Sequence, residues 1–186
     1  MLVVKALRFL APVMVVLGAA PSDVAIAQTT GSIQRGPSGL PLPRFVSLKG
    51  KSVNLRVGPG REYAVSWRYL KAGLPMEIIQ EYDNWRRVRD AEGAEGWVFH
   101  SLLSGRRTAI AAPWETGKSG KLIAVLSKPQ QGADKVAQVE PGVIGAISAC
   151  DGQWCRMEFS SQNYTVRGWV DQAQLWGAYP QEKIED

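Results

Sequence analysis

The fold is decided by a stretch that occurs twice, first as Glu81-Tyr82-Asp83-Asn84-Trp85-Arg86-Arg87-Val88. Its second form, Cys150-Asp151-Gly152-Gln153-Trp154-Cys155-Arg156-Met157, places the tryptophan 69 residues later. The upstream turn glycines Gly73 and Gly142 are separated by the same 69 residues. A constant separation over several landmarks indicates an internal duplication. The sequence therefore predicts two copies of one small module.

Two further pairs of segments support the duplication. Gly96-Trp97-Val98 follows the first tryptophan, and Gly168-Trp169-Val170 follows the second. Upstream, residues 53–60 align with residues 123–130 at a separation of 70 residues. The alignment therefore extends over most of each copy.

Short apolar runs that alternate with turn residues predict a chain made of β-strands. Gly58-Pro59-Gly60, Ala72-Gly73 and Asp83-Asn84 provide turns between runs such as Met76–Tyr82. No stretch beyond the N-terminal region has sustained helical periodicity. Short strands with a turn about every eight to twelve residues are typical of a small barrel or sandwich.

The N-terminus has the pattern of a secretory signal peptide. Lys5 and Arg8 precede a short apolar run, and Ala25-Ile26-Ala27 provides small residues where a signal peptidase cleaves. We expect cleavage after Ala27, which would leave a periplasmic or secreted protein without a stable membrane anchor. The alternative is an N-terminal helix that is retained as an anchor.

The charge of the chain is modestly basic. Loss of Lys5, Arg8 and Asp23 with the signal peptide lowers the formal net charge from +5 to +4. In an exported protein this charge suits anionic cell-wall polymers or lipid head groups, or it only aids solubility. Nucleic acid is not an expected partner, since it lies on the other side of the membrane, although arginines interleaved with aromatic residues also occur in proteins that bind it.

Composition divides the chain into modules and connecting segments. Thr108–Ala112, within the connection, could add an edge strand before Pro113. The segment Leu40–Arg44 favours polyproline II and is either a spacer or a segment that docks into an aromatic groove of the protein itself. The predicted limits are a signal peptide at 1–27, a lead-in rich in Pro and Gly at 28–44, a first module at 45–104, a linker at 105–120, a divergent second module at 121–177 and a tail at 178–186.

Both repeated tryptophans are predicted on the more polar face of a strand. Side chains alternate along a strand, so Trp85 shares a face with Arg87, and Trp154 shares a face with Arg156. Such a face is either a ligand-binding surface or a site where a neighbouring loop shields the tryptophan.

The first copy resembles the bacterial SH3-like domain family over residues 45–104. The resemblance is carried by Asn54, Arg56, Gly58, Pro59, Gly60, Tyr63, Gly73, Asn84, Trp85, Gly96, Trp97, Val98 and Phe99. The second copy lacks the Asn-x-Arg pair and keeps chiefly Gly142, Trp154, Gly168 and Trp169. The resemblance implies an all-β protein made of two tandem small SH3-like β-barrels.

The resemblance also implies a binding role. Family members are commonly non-catalytic, and some bind peptidoglycan peptides, which makes Tyr63, Trp67 and Trp85 candidate ligand-binding residues. Arg87 joins them as part of the basic cluster beside Trp85. The expected partner is a cell-wall peptide or glycan, or else an envelope protein. In that alternative the two modules pack through Trp114, Trp169 and Trp176.

The two cysteines are the remaining candidates for chemistry. Cys150 and Cys155 flank a hairpin turn and predict a disulfide, and Glu81 and Arg86 at the same positions of the first copy would form a cross-strand charge pair. Free thiols and a metal are the alternatives, but a zinc site needs more ligands, and the single histidine, His100, lies in the other copy. A thiol hydrolase would need a separate catalytic domain, for which the two modules leave no room. We therefore predict no enzyme activity, no metal and no cofactor.

Overall fold

The structure, a computed structural model, describes residues 34–185. These residues form seventeen short strands and three 3-10 helices, at His100–Leu102, Pro113–Glu115 and Gln172–Gln174, without an α-helix. No helix in this part of the chain has the length and apolar character needed to cross a membrane. The strands are β1 (Gln34–Arg35), β2 (Pro41–Leu42), β3 (Arg44–Leu48), β4 (Val53–Arg56), β5 (Val65–Tyr69), β6 (Pro75–Tyr82), β7 (Trp85–Arg89), β8 (Glu95–Phe99), β9 (Leu103–Ser104), β10 (Thr108–Ala111), β11 (Ile123–Leu126), β12 (Lys135–Val139), β13 (Ile144–Asp151), β14 (Trp154–Ser160), β15 (Thr165–Asp171), β16 (Leu175–Trp176) and β17 (Lys183–Ile184).

The duplication is visible in the strand order of two antiparallel sheets. The first sheet has the order β5-β4-β8-β7-β6-β3-β9, and the second has the order β12-β11-β15-β14-β13-β10-β16. Each strand of the first sheet has a counterpart at the same place in the second. The all-β prediction is confirmed, and the two sheets are called the first and second modules below.

Strand alternation places one core in each module. In β4, Val53 and Leu55 are buried while Asn54 and Arg56 are half-buried, as expected for a strand with one face on the core. The first core consists of Val46, Leu48, Val53, Leu55, Tyr69, Met76, Ile78, Val88 and Val98. The second core contains the counterparts of several of these, with Ile123, Val125, Ile147, Cys150, Cys155, Met157, Phe159 and Val170 among its members.

The repeated Gly-Trp-Val segment reflects a close approach of two strands. A Cβ on Gly96 would lie 2.8 Å from the carbonyl oxygen of Arg56, and a Cβ on Gly168 would lie 2.6 Å from that of Leu126. Real Cβ atoms do not approach a backbone oxygen so closely. Glycine is therefore required where β8 lies against its neighbour β4 and where β15 lies against its neighbour β11.

The second sheet includes two strands outside residues 121–177, namely β10 and β17. Strand β10, expected as an edge strand in the linker, lies inside the sheet, where it pairs with both β13 and β16 and is buried along its whole length. Strand β17, in the predicted tail, pairs with β13. Strand β10 lies between β13 and β16 as β3 lies between β6 and β9, so β10 is the counterpart of β3.

The lead-in is also more ordered than a spacer over the described residues. Strands β1 and β2 form a small antiparallel hairpin, so Leu40–Arg44 is not the isolated polyproline II segment that was predicted. Ser38 and Arg44 both bind Glu81 of the first module. The predicted signal peptide and residues 28–33 lie outside the described residues.

The two modules contact each other through aromatic side chains. Phe45 of β3 packs against Trp176 and Tyr179, with ring centroids 5.1 Å and 4.7 Å apart. The Tyr179 hydroxyl donates a 2.9 Å hydrogen bond to Glu77, and burial together with the Glu77 charge raises the pKa of Tyr179. Arg107 lies over the Phe45 ring at 5.8 Å. Of the three tryptophans expected in this contact, Trp176 takes part.

Candidate functional site

Trp85 lies beside a polar groove on the outer face of the first module. Its strand, β7, pairs with β8 so that Trp85 is opposite Phe99, with the rings edge to face at 5.4 Å. The groove has a volume of about 440 Å³. We call it the arginine groove; its lining residues are Ser52, Asn54, Arg56, Arg61, Arg68, Trp85, Phe99, Ser101 and Leu102.

The guanidinium groups of this groove have no carboxylate partner among residues 34–185. Arg56 donates to the carbonyl oxygens of Arg61 and Tyr63 at 3.0 Å and 2.6 Å. Arg68 donates to the side-chain oxygen of Asn54 at 3.0 Å. These neutral acceptors orient the side chains but leave their charge uncompensated. The groove is therefore an electropositive site with an aromatic wall.

The four predicted ligand-binding residues do not lie in one site. Of Tyr63, Trp67, Trp85 and Arg87, only Trp85 lines the arginine groove. Arg87 pairs with Glu95 at 2.9 Å, and Tyr63 contributes its carbonyl oxygen to Arg56 rather than its ring to the groove. Trp67 is 61% exposed and lines a different hollow.

The register of β5 explains why Trp67 and Trp85 are separated. Trp67 lies opposite the buried Leu55, and the register shifts between Leu55 and Arg56. Cross-strand partners share a face, so Trp67 overhangs the core side while Asn54 and Arg56 point to the groove. Arg61 and Arg68 were not predicted as site residues, since only the strand pairing brings them to Trp85. Arg68 could have been linked to the groove through its position opposite Asn54. That position follows only when the register of β4 and β5 is known.

Trp154, the counterpart of Trp85, lines a cleft of different chemistry. Trp154 lies opposite Asp171, and the cleft beside them has a volume of about 730 Å³. We call it the aromatic cleft, and it was not predicted from the sequence. Its lining residues are Phe45, Glu77, Trp114, Gly152, Gln153, Trp154, Asp171, Gln172, Ala173, Leu175, Trp176, Ala178, Tyr179, Pro180 and Gln181.

A buried carboxylate closes the hairpin of the first module. The side chain of Glu81 is 0% exposed and binds Arg44 at 2.6 Å and Arg86 at 3.2 Å. Ser38 donates both its backbone N–H, at 2.9 Å, and its hydroxyl, at 2.8 Å, to the same carboxylate. Burial alone would raise the pKa of Glu81, but the hydrogen bonds from Ser38 and Arg44 outweigh it and hold the pKa below its ordinary value. This cluster is structural, because its charges satisfy one another.

The disulfide prediction is confirmed at the equivalent hairpin of the second module. Cys150 and Cys155 are paired across β13 and β14 with an S–S distance of 2.01 Å. They are the only cysteines of the sequence, so neither carries a free thiol. Within residues 34–185 no three His, Cys, Asp or Glu side chains are grouped to hold a metal ion.

Comparison with known proteins gives one family. The model of the bacterial SH3 domain family matches residues 49–105 and 119–177, which is more than half of the chain. A comparison with curated proteins finds no match.

Two solved structures from Trichomonas vaginalis are similar to parts of the chain. The structure of NlpC2 matches 72% of this chain at 14% identity with a TM-score of 0.30. That of NlpC1 matches 76% at 14% identity with a TM-score of 0.31. In both cases 48% of the solved chain is covered, so this chain spans about half the length of either structure. At these scores the likeness carries no functional argument.

Proposed function

The chain belongs to the bacterial SH3 domain family, and we propose that it is an exported, non-catalytic binding protein that recognises anionic cell-envelope material, in particular peptidoglycan peptides. The observation that carries the proposal is the arginine groove, where Trp85 and three guanidinium groups without a carboxylate partner among residues 34–185 line one site. The predicted signal peptide and the net charge of +4 that remains after its removal support an extracytoplasmic role.

Carboxylates are the groups that best fit the charged wall of the groove. A guanidinium group offers two parallel N–H donors to a carboxylate, and such charge-assisted hydrogen bonds are about twice as strong as neutral ones. Peptidoglycan peptides carry several carboxylates on a short chain. A ligand of this kind would engage Arg61 and Arg68, while Arg56 is held in place by its two carbonyl acceptors.

Trp85 supplies the apolar part of the same recognition. Its ring is half-buried and fixed edge to face against Phe99, so little conformational entropy is lost when a ligand packs on it. Small apolar side chains such as those of alanine would fit beside the ring. The combination of a rigid aromatic wall and the two guanidinium groups of Arg61 and Arg68 favours a short acidic peptide over a purely polar anion.

Sedimentation with purified peptidoglycan tests the proposal. The matched variants are the double change Arg61→Ala with Arg68→Ala, and a control in which the exposed Arg106 and Lys128 are both changed to alanine. We expect the groove variant to lose about tenfold in affinity, equivalent to about 1.4 kcal/mol, and the control to bind as the parent does. Binding by the parent should weaken with added salt, because the charges are exposed.

The Trp85→Ala variant, shown by circular dichroism to remain folded, completes the test. It should also lose retention on peptidoglycan. If the folded parent protein is not retained, or if the groove and control variants bind equally, the proposal is wrong.

The second candidate function is binding to an envelope protein, and it is supported by the outer edge of the first module. Strand β5 lies at the end of its sheet and exposes Val65 and Trp67, and Leu70 follows it in the chain, also exposed. Exposed strand edges accept an added strand from a partner. Retention on peptidoglycan that is free of other proteins favours the first candidate, whereas co-purification lost in a Trp67→Ala variant favours the second.

A further inference from the structure

The aromatic cleft of the second module is a second candidate binding site, with chemistry different from that of the arginine groove. We propose that it binds a neutral, hydroxyl-rich oligosaccharide. Its volume of about 730 Å³ lies within the range of about 300–1,000 Å³ usual for ligand sites. The inference uses different residues from the proposed function and does not depend on it.

The aromatic rings of the cleft fit the faces of sugar rings. Trp114, Trp154, Trp176 and Tyr179 all line it. Pyranose rings present apolar C–H groups on their faces, and these pack on aromatic surfaces as aliphatic groups do. Trp114 is 52% exposed and stands in the 3-10 helix at Pro113–Glu115, so its ring is accessible to such a ligand.

A buried amide of the cleft has an unused hydrogen-bond acceptor. Gln172 is 4% exposed, and its side-chain nitrogen donates to the carbonyl oxygens of Tyr179 and Glu182 at 2.6 Å and 3.1 Å. These two bonds fix the orientation of the amide and leave Oε1 without a partner. Buried polar atoms are nearly always paired. The Gln172 Oε1 oxygen has almost no accessible surface, so it lies beneath the surface of the cleft and is not counted among the contacts of the ligand.

Further polar groups around the cleft suit the hydroxyl edges of a sugar. The Gln153 and Gln181 side chains line it, and each offers both a donor and an acceptor. Asp171 uses one carboxylate oxygen to accept from the Ala173 backbone N–H at 2.9 Å, so its other oxygen remains for a hydroxyl donor. Apolar faces bordered by amides and a carboxylate match the amphipathic surface of an oligosaccharide.

The charge of the cleft lining differs from that of the arginine groove. The lining of the cleft contains the carboxylates Glu77 and Asp171 and no lysine or arginine. Glu77 is offset by Arg89, whose Nε lies 3.7 Å from the Glu77 carboxylate. Arg107 lies over the Phe45 ring of the lining, so the cleft carries little net charge. A neutral ligand fits this balance, and it separates the two sites by charge.

Isothermal titration of the purified protein with the uncharged β-1,4-linked tetramer of N-acetylglucosamine tests the inference. We expect saturable binding, a loss of about tenfold or more in Trp114→Ala, and unchanged binding in Trp67→Ala, which removes an exposed tryptophan outside the cleft.

The competing outcomes are distinct. Absence of binding by the parent, equal affinity in Trp114→Ala and Trp67→Ala, or tighter binding of an acidic or a lysine-rich tetrapeptide than of the sugar would each overturn the inference. Trp85→Ala should keep the sugar affinity while losing affinity for a soluble acidic peptidoglycan peptide that carries no sugar, so failure of this inference and failure of the proposed function can be told apart.

Discussion

The two modules close the same hairpin with different chemistry. In the first, Glu81 lies opposite Arg86 on β6 and β7, and the carboxylate is covered by Ser38 and Arg44 of the lead-in. In the second, Cys150 lies opposite Cys155 and is covered by β17, whose Ile184 pairs with Cys150. The duplicated position is thus closed by a buried ion pair in one copy and a covalent bond in the other. In each copy a flanking segment of the chain completes the closure.

The surfaces beside the repeated tryptophans differ in the same way. Arg56 lies opposite Trp97 in the first module, and Leu126 lies opposite Trp169 in the second. The second module thereby loses the polar wall formed by Asn54 and Arg56, and aromatic residues outside the repeat, Trp114 and Tyr179, line its cleft instead. The shared fold preserves the position of the tryptophan, while its neighbours set the charge of each site.

Removing the buried carboxylate should have the largest effect on stability. Glu81→Ala leaves Arg44 and Arg86 without their anion, and breaking a buried pair in this way costs about 3 kcal/mol. Glu158→Ala is the control, because its 2.7 Å pair with Arg167 is exposed and should contribute little to stability. Urea unfolding measures both, and equal losses would contradict the structural role of the Glu81 cluster.

Removing the disulfide should have the next largest effect. Changing Cys150 and Cys155 to serine frees a short loop in the unfolded chain and should lower the free energy of unfolding by about 2 kcal/mol. A reducing agent should destabilise the parent by a similar amount and leave the serine variant unchanged. If the reductant acts equally on both proteins, the loss does not come from the disulfide.

Local features were predictable from the sequence, and features that depend on distant pairing were not. The duplication, the Asp83-Asn84 turn and the disulfide follow from residues close together in the chain. The inner position of β10 requires its pairing with β13 and β16, which are more than thirty residues away. Arg61 and Arg68 meet Trp85 only through the bulged register of β4 and β5. The aromatic cleft joins residues from both modules and the C-terminal segment, so no local pattern indicates it.

Acidification should lower stability less than loss of the Glu81 carboxylate or of the disulfide does. It should also distinguish the hairpin closure of the first module from that of the second. The pKa of Glu81 is lowered from its ordinary value of 4.5, because hydrogen bonds from Ser38 and Arg44 outweigh the effect of burial. The folded state therefore favours the charged form, and this contribution is present above pH 4.5 and is lost as the pH falls through the lower folded pKa. The pKa of Glu182 is lowered in the same direction, since hydrogen bonds from Arg107 and the Tyr179 backbone outweigh burial.

The Cys150–Cys155 disulfide does not titrate, so only the closure of the first module depends on acid. Urea midpoints at about pH 7 and about pH 3 should therefore fall less in Glu81→Gln than in the parent, while the double serine variant should fall as much as the parent. Glutamine keeps the size of the side chain and removes the titrating proton, which isolates the charge from the packing. Parallel losses in the parent and Glu81→Gln would show that acid sensitivity arises elsewhere, with Glu182 as the next residue to change.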